Sequence, residues 1–271
     1  MRIVIKFAGA LLEDAAQVAA LSQHISNLAR HGHEILVIHG GGRLFTATLK
    51  RLGIESKFVA GLRVTDRETR DVAVMVFGGL LNKRLSAAIN AAGQPAIGIS
   101  AADAACFSAG PLVHNDVEGS LGFVGYLTGV NTPFLESLWR ENLLPVAACL
   151  GQSSDGELYN INADHMAAAC AEFIHASRLI YLTDVAGVLD GKKVLKAVSC
   201  EEVEDLIRVH KVSGGMVLKL EACKRALSAG VSQVRIVSGT NERGLLSAAN
   251  GAKGPGTRVM PSFPAAAGVG Q

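Results

Sequence analysis

No run of this 271-residue chain approaches the roughly 18–20 uninterrupted apolar residues that a membrane-spanning helix needs. The first residues, MRIVIKFAG, enter a strand-like run at once and leave no room for the apolar core and cleavage site of a secretory signal. The expectation is a cytoplasmic protein with no membrane partner. Cysteine is scarce and unpatterned: Cys106, Cys149, Cys170, Cys200 and Cys223 are odd in number and form no CxxC pair. A disulfide framework and a zinc site are therefore excluded, and the thiols read as reduced core fillers. An excess of one charge is also lacking. Lys and Arg number 26 against 24 Asp and Glu, and only Lys50-Arg51, Lys83-Arg84, Lys192-Lys193 and Lys224-Arg225 stand adjacent, so there is no nucleic-acid footprint. Three motifs are missing as well. There is no GxxxxGK[ST] loop and no GxGxxG after a strand, which excludes the P-loop and dinucleotide-binding classes. The nearest approach to a GxSxG elbow, from Gly98 to Ala102, lacks its second glycine, which removes a serine hydrolase.

What is present is apolar and alternating. Hydrophobic residues make up 49% and charged residues 18%, with a mean hydropathy of +0.31, a balance suited to a sheet covered on both faces. Short β-branched runs predict strands over 2–7, 34–39, 95–100, 145–150, 179–183 and 233–238. Helical patterns lie over 13–31, 43–52, 67–92, 132–142, 163–176, 200–209, 215–229 and 242–250. The alternation predicts an α/β fold with a parallel, doubly wound sheet. The glycine-rich stretch 107–128 reads as hairpins, and the small-residue end 263–271 as a flexible tail.

In such sheets ligands bind beyond the carboxyl ends of the strands, where helix N-termini present N–H groups. The glycines and polar residues cluster there. Lys6-Phe7-Ala8-Gly9 follows the first strand, and His39-Gly40-Gly41-Gly42 follows the second and opens a helix, an arrangement that admits a phosphate close to the backbone. Arg63, in Gly61-Leu62-Arg63-Val64-Thr65-Asp66, is placed for a carboxylate fork. Asn160-Ile161-Asn162-Ala163-Asp164 runs into a helix, with Asn162 as the cap. Asp164, taken alone, is the first-turn acid that the helix dipole favours. Lys219, near the start of the helix opened by Gly214-Gly215, is electrostatically misplaced, and a broken local rule points to function.

Taken in order, these segments resemble the amino acid kinase family, and within it the branch acting on N-acetylglutamate. HGGG (39–42), GLRVTD (61–66), MVFGGLLNK (75–83), LGFVG (121–125), NINAD (160–164), LTDVAGVL (182–189) and GGMVLK (214–219) keep the family's order and spacing, from Arg2 to about Val259. The resemblance implies a three-layer α/β sandwich with a central, mostly parallel open sheet. One domain would span 1–261, with an acyl-amino-acid lobe over 1–175, a nucleotide lobe over 176–261 and a tail over 262–271. It implies transfer of the γ-phosphoryl group of ATP to a side-chain carboxylate. Lys6 and Lys219 would stabilise the moving phosphoryl group, and Asp164 would hold both lysines. Gly9, Gly41 and Gly42 would donate backbone N–H bonds. Arg63 would bind the α-carboxylate and Asn160 the acetamido side. Asp184, Val185, Ala186, Gly187, Val188 and Leu189, with Lys211, Val212 and Ser213, would line the nucleotide site. Mg²⁺ would arrive with ATP, held mainly by the phosphates and by no dedicated protein cluster. A sibling kinase acting on another N-acyl or carrier-bound glutamate or aminoadipate, and a non-catalytic amino-acid sensor, are the rival readings.

The chain departs from the family pattern at three places. Ala8 stands where the family has glycine, and Ala60 where it more often has Asp or Asn. The chain begins directly at the first strand, without the N-terminal helix of arginine-inhibited hexamers. The expectation is an arginine-insensitive homodimer.

Overall fold

The computed structural model describes residues 1–113 and 121–262. In chain order the strands are β1 (Arg2–Phe7), β2 (Glu34–His39), β3 (Phe58–Val59), β4 (Leu62–Arg63), β5 (Ala96–Ile99), β6 (Phe107–Pro111), β7 (Val124–Val130) and β8 (Leu144–Ala148). They continue with β9 (Leu150–Gln152), β10 (Leu158–Ile161), β11 (Arg178–Thr183), β12 (Leu189–Asp190), β13 (Lys193–Val194), β14 (Ala197–Ser199), β15 (Gln233–Ser238) and β16 (Thr257–Met260). The helices are α1 (Ala15–Arg30), α2 (Gly42–Arg51), α3 (Arg67–Ala73), α4 (Asn82–Ala91), α5 (Thr132–Arg140), α6 (Ala163–Phe173), α7 (Cys200–Arg208), α8 (Gly215–Ser228) and α9 (Glu242–Asn250).

Eight strands form one sheet in the order β14-β16-β15-β11-β1-β2-β8-β5, parallel throughout except where β15 meets β16. The central strands alternate their side chains between two cores. Val4, Leu36 and Ile38 face one side, with α2, α6 and α8; Ile3, Ile5, Phe7, Ile35 and Val37 face the other, with α1, α4 and α9. This period-two division of near-continuous apolar strands is what a sheet buried on both faces requires. The three-layer α/β fold is as expected.

The differences from the expected elements have local causes. The run 145–150 is not one strand: β8 ends at Ala148, and after Cys149 the chain enters a small closed barrel of β10, β7, β6 and β9. Cys149 is the junction, its N–H donating to the His39 carbonyl in the sheet and its own carbonyl accepting from Ile161 N–H in the barrel. The expected hairpins of 107–128 are represented by the antiparallel β6–β7 pair of that barrel, with 114–120 outside the described residues. So are 263–271, the expected tail. The expected helix 67–92 runs over Arg67–Ala91, but its middle, Val74–Leu81, is a π-helix. By length and composition alone this helix is apolar enough to cross a membrane, yet Val72, Val76, Phe77, Leu81, Leu85 and Ile89 are all buried in the protein's own cores.

Candidate functional site

β1 and β2 are adjacent and in parallel register, so Lys6 lies beside Ile38, and the Ala8-Gly9 and Gly40-Gly41 turns leave the sheet side by side. Their closeness requires glycine: a Cβ added to Gly9 would lie 2.9 Å from the Gly41 Cα. The Gly41 carbonyl then accepts from Phe45 N–H at 2.9 Å, which starts α2 and turns its free N–H groups outward.

On the next element round, Asn162 caps α6 by accepting from the N–H groups of Asp164 and His165 at 2.9 and 3.1 Å. The cap carries Asp164 inward rather than leaving it as a solvated first-turn acid. One carboxylate oxygen, Oδ1, lies 2.7 Å from Lys6 Nζ and 2.8 Å from Lys219 Nζ. All three residues are at most 8% exposed. Burial would raise the Asp164 carboxyl, but the two ammonium groups outweigh it and hold the group far below the usual carboxylate range. Burial pushes the Lys6 ammonium down, partly offset by Asp164, while Lys219 adds to the lowering. One anion between two cations leaves a net positive, water-poor spot. Tyr181 supports it, its ring 4.9 Å from Lys219 Nζ and its hydroxyl donating to the Asp164 carbonyl at 3.0 Å.

A cavity of about 210 Å³ opens from this cluster, lined by Lys6, Gly9, Gly41, Gly42, Arg63, Asn160 and Asp164 among others. Arg63 is 9% exposed and lies between the rings of Phe45 and Phe58, at 4.7 and 4.4 Å. It donates to Thr46 Oγ1 at 2.7 Å and Ser56 Oγ at 2.5 Å, and no carboxylate of the described residues lies within ion-pair distance of it. A stacked, desolvated guanidinium without a counter-ion is a receptor for an incoming anion. Asn160 Nδ2 donates to Thr65 Oγ1 at 3.1 Å, which directs the amide's oxygen away from that contact and leaves it as an acceptor.

Of the residues expected at the phosphoryl and acceptor sites, Lys6, Gly9, Gly41, Gly42, Arg63, Asn160 and Asp164 line one cavity, and Lys219 is held beside it on Asp164 Oδ1. The residues expected to line the nucleotide site lie apart from it. Asp184 follows β11 and is 3.5 Å from the Arg43 guanidinium. Val188 is fully buried, its N–H donating to Thr257 Oγ1 at 2.9 Å, and Gly187 is packed against the same hydroxyl. Asp184, Ala186 and Leu189 are exposed and Val185 half-buried. Lys211 pairs with Asp190 at 2.9 Å, Val212 is buried and Ser213 exposed. Sequence reasoning missed Tyr181, Thr65, Phe45 and Phe58. Only Thr65 stood within a quoted motif, and the aromatic residues carry no local signal that separates a site wall from a core.

Residues 1–238 match the model of the amino acid kinase family. The chain belongs to that family. It is 51% identical over 249 residues to an acetylglutamate kinase of Koribacter versatilis, covering 91% of this chain and 94% of the relative. It is 41% identical over 264 residues to an acetylglutamate kinase of Acidobacterium capsulatum, covering 97% and 100%. Among solved structures, N-acetylglutamate synthase from Neisseria gonorrhoeae superposes with a TM-score of 0.84 at 23% identity, over 97% of this chain and 60% of that one, a likeness of fold. The chain is a kinase.

Proposed function

We propose that this enzyme transfers the γ-phosphoryl group of ATP to the γ-carboxylate of N-acetyl-L-glutamate, forming N-acetylglutamyl 5-phosphate in arginine biosynthesis. The observation that carries this reading is the meeting of three features at one cavity: a stacked guanidinium at Arg63 with no counter-ion among the described residues, the Asn160 amide oriented by Thr65, and Asp164, which holds Lys6 in the cavity wall and Lys219 beside it. Arg63 pairs with the substrate's α-carboxylate, and Asn160 Oδ1 accepts from its acetamido N–H. A carboxylate oxygen attacks the γ-phosphorus, forming one P–O bond as the bond to the β–γ bridging oxygen breaks, and ADP leaves with that electron pair. No proton moves, because the acceptor, with a pKa of about 4.3, is already ionised at neutral pH. The work left to the protein is alignment of two anions and neutralisation of charge on the equatorial oxygens. Lys6, Lys219 and the N–H groups of Gly9, Gly41 and Gly42 supply that neutralisation.

The nucleotide lies against Asp184, Val185, Ala186, Gly187, Val188, Leu189, Lys211, Val212 and Ser213 in a lobe spanning 176–261, beside an acceptor lobe over 1–175. Mg²⁺, bound with ATP, would supply further charge neutralisation. In this reading the phosphates would be its main ligands. The enzyme works in the cytoplasm as a homodimer. The exposed stripe of Met75, Gly79 and Leu80 on the Arg67–Ala91 helix supports a second copy as its cover.

The test is an ATP-consumption assay with hydroxylamine trapping of the acyl phosphate, run against N-acetylglutamate, N-succinylglutamate, glutamate, aspartate and carbamate. N-acetylglutamate is expected to turn over and free glutamate not to. Equal turnover of free glutamate would overturn the assignment, and preference for the succinyl compound would replace the acyl group.

A further inference from the structure

His39 and Asn82 are fully buried polar side chains that hydrogen-bond to each other and to backbone carbonyls. His39 ends β2, directly before the glycine turn that walls the cavity. Its Nδ1 lies 3.1 Å from the Gly40 carbonyl oxygen, which can only accept, so Nδ1 carries the ring proton and Nε2 the lone pair. Asn82 Nδ2 donates to that lone pair at 3.1 Å. The same amino group donates to the Val146 carbonyl at 2.8 Å, and this second bond fixes the amide orientation: turned over, Asn82 Oδ1 would face a carbonyl oxygen. The neighbouring strand makes room for this arrangement. A Cβ at Gly98 of β5 would lie 2.0 Å from Asn82 Oδ1.

A second contact ties the same helix to the same turn. Asn82 follows immediately on the π-helical stretch, whose last residue, Leu81, packs on Gly41: a Cβ there would lie 2.0 Å from Leu81 Cδ1. Phe77, one turn earlier, reaches the cavity wall. The wide π turn thus sets two successive residues against the same strand-to-helix junction, Leu81 on Gly41 and Asn82 on His39. π-Helical insertions recur at functional sites because they re-phase one face of a helix in this way.

We infer that His39 and Asn82 are positioning residues for phosphoryl transfer, a relay in which Asn82 fixes the His39 ring and His39 fixes the Gly40 carbonyl. With that peptide held, the N–H groups of Gly41 and Gly42 stay aimed at the moving phosphoryl group. The inference rests on reading this cavity as the transfer site. The ring must be neutral to take part, since a protonated Nε2 would oppose the Asn82 amino group. Burial favours that state, pushing the His39 imidazole down to about 4.

Three measurements test the relay. Asn82→Leu and His39→Leu keep the bulk and remove the hydrogen bonds. Each is expected to lower kcat at least tenfold while the KM values for Mg-ATP and N-acetylglutamate stay within threefold. The double variant is expected to be no slower than the worse single one, because both changes break one relay. Nitrogen NMR of the ¹⁵N-histidine-labelled wild type is expected to show His39 neutral, with a proton on Nδ1, at pH 7. A lower melting temperature with unchanged kcat, or losses that multiply in the double variant, would reduce the pair to a structural role and overturn the inference. A charged ring or an Nε2–H tautomer would overturn it even if neither variant folds. Failure of the underlying reaction would show separately, as a wild type that does not phosphorylate N-acetylglutamate.

Discussion

At Ala8 the backbone has φ −68° and ψ 142°, ordinary extended geometry in which a methyl group meets no strain. Gly9 is the residue that cannot change, because its Cβ would collide with the Gly41 backbone. Ala8→Gly is therefore expected to leave kcat within about threefold and to lower stability by about 0.4–1 kcal/mol through the freer unfolded chain. Gly9→Ala should nearly abolish turnover; steady-state kinetics and thermal melts decide both. Ala60, the other departure from the family pattern, differs in kind. It sits at φ 48°, a left-handed conformation that Asn and Asp adopt more readily than Ala. Lys219 stood out as a candidate site residue because a cation near a helix N-terminus breaks a local rule. Asp164 was not legible on its own, because a first-turn acid obeys one. Its role depends on Lys6, far off in sequence on β1, and only the packed fold brings that charge to it. His39 and Asn82 stayed hidden for the same reason: their partnership spans three elements and has no local spacing.

Among the elements, α6 is the one whose cap lies beside the residue that joins the lysines. Asn162→Ala is expected to cost about 0.5–2 kcal/mol of stability and to lower kcat as Asp164 loses its fixed entry angle. Asn162→Ser should restore most of both, as read by urea melts and initial rates; full activity in the Ala variant would show that the cap does not position Asp164. The long apolar runs of β1, β2, β11 and β15 were legible because a sheet buried on both faces spells them out with few polar breaks, such as Lys6 and Arg235. β14 and β16 were not: three- and four-residue strands at the sheet's edge carry too few apolar positions to stand out from loop. The π-helical stretch was invisible for another reason. VMVFGGLL is apolar on every side, so it carries no periodicity from which a wider turn could be read.

At the scale of the molecule, the exposed apolar stripe on the Arg67–Ala91 helix predicts a homodimer, with light scattering giving twice the 28.2 kDa chain mass. Met75→Glu should reduce it to a monomer, and a wild-type monomer or hexamer would refute the interface. The more consequential feature is that the chain brings Lys6 from its first strand and Lys219 from its eighth helix onto one oxygen of Asp164. If that convergence is the phosphoryl-transfer centre, neither lysine can replace the other. The direct measurement is the single-turnover rate of N-acetylglutamate phosphorylation in Lys6→Ala and Lys219→Ala, with circular dichroism confirming the fold. Each rate is predicted to fall by about 10²–10³, the loss typical of one preorganised charge donor. Retention of more than a tenth of the wild-type rate by either variant would contradict the account.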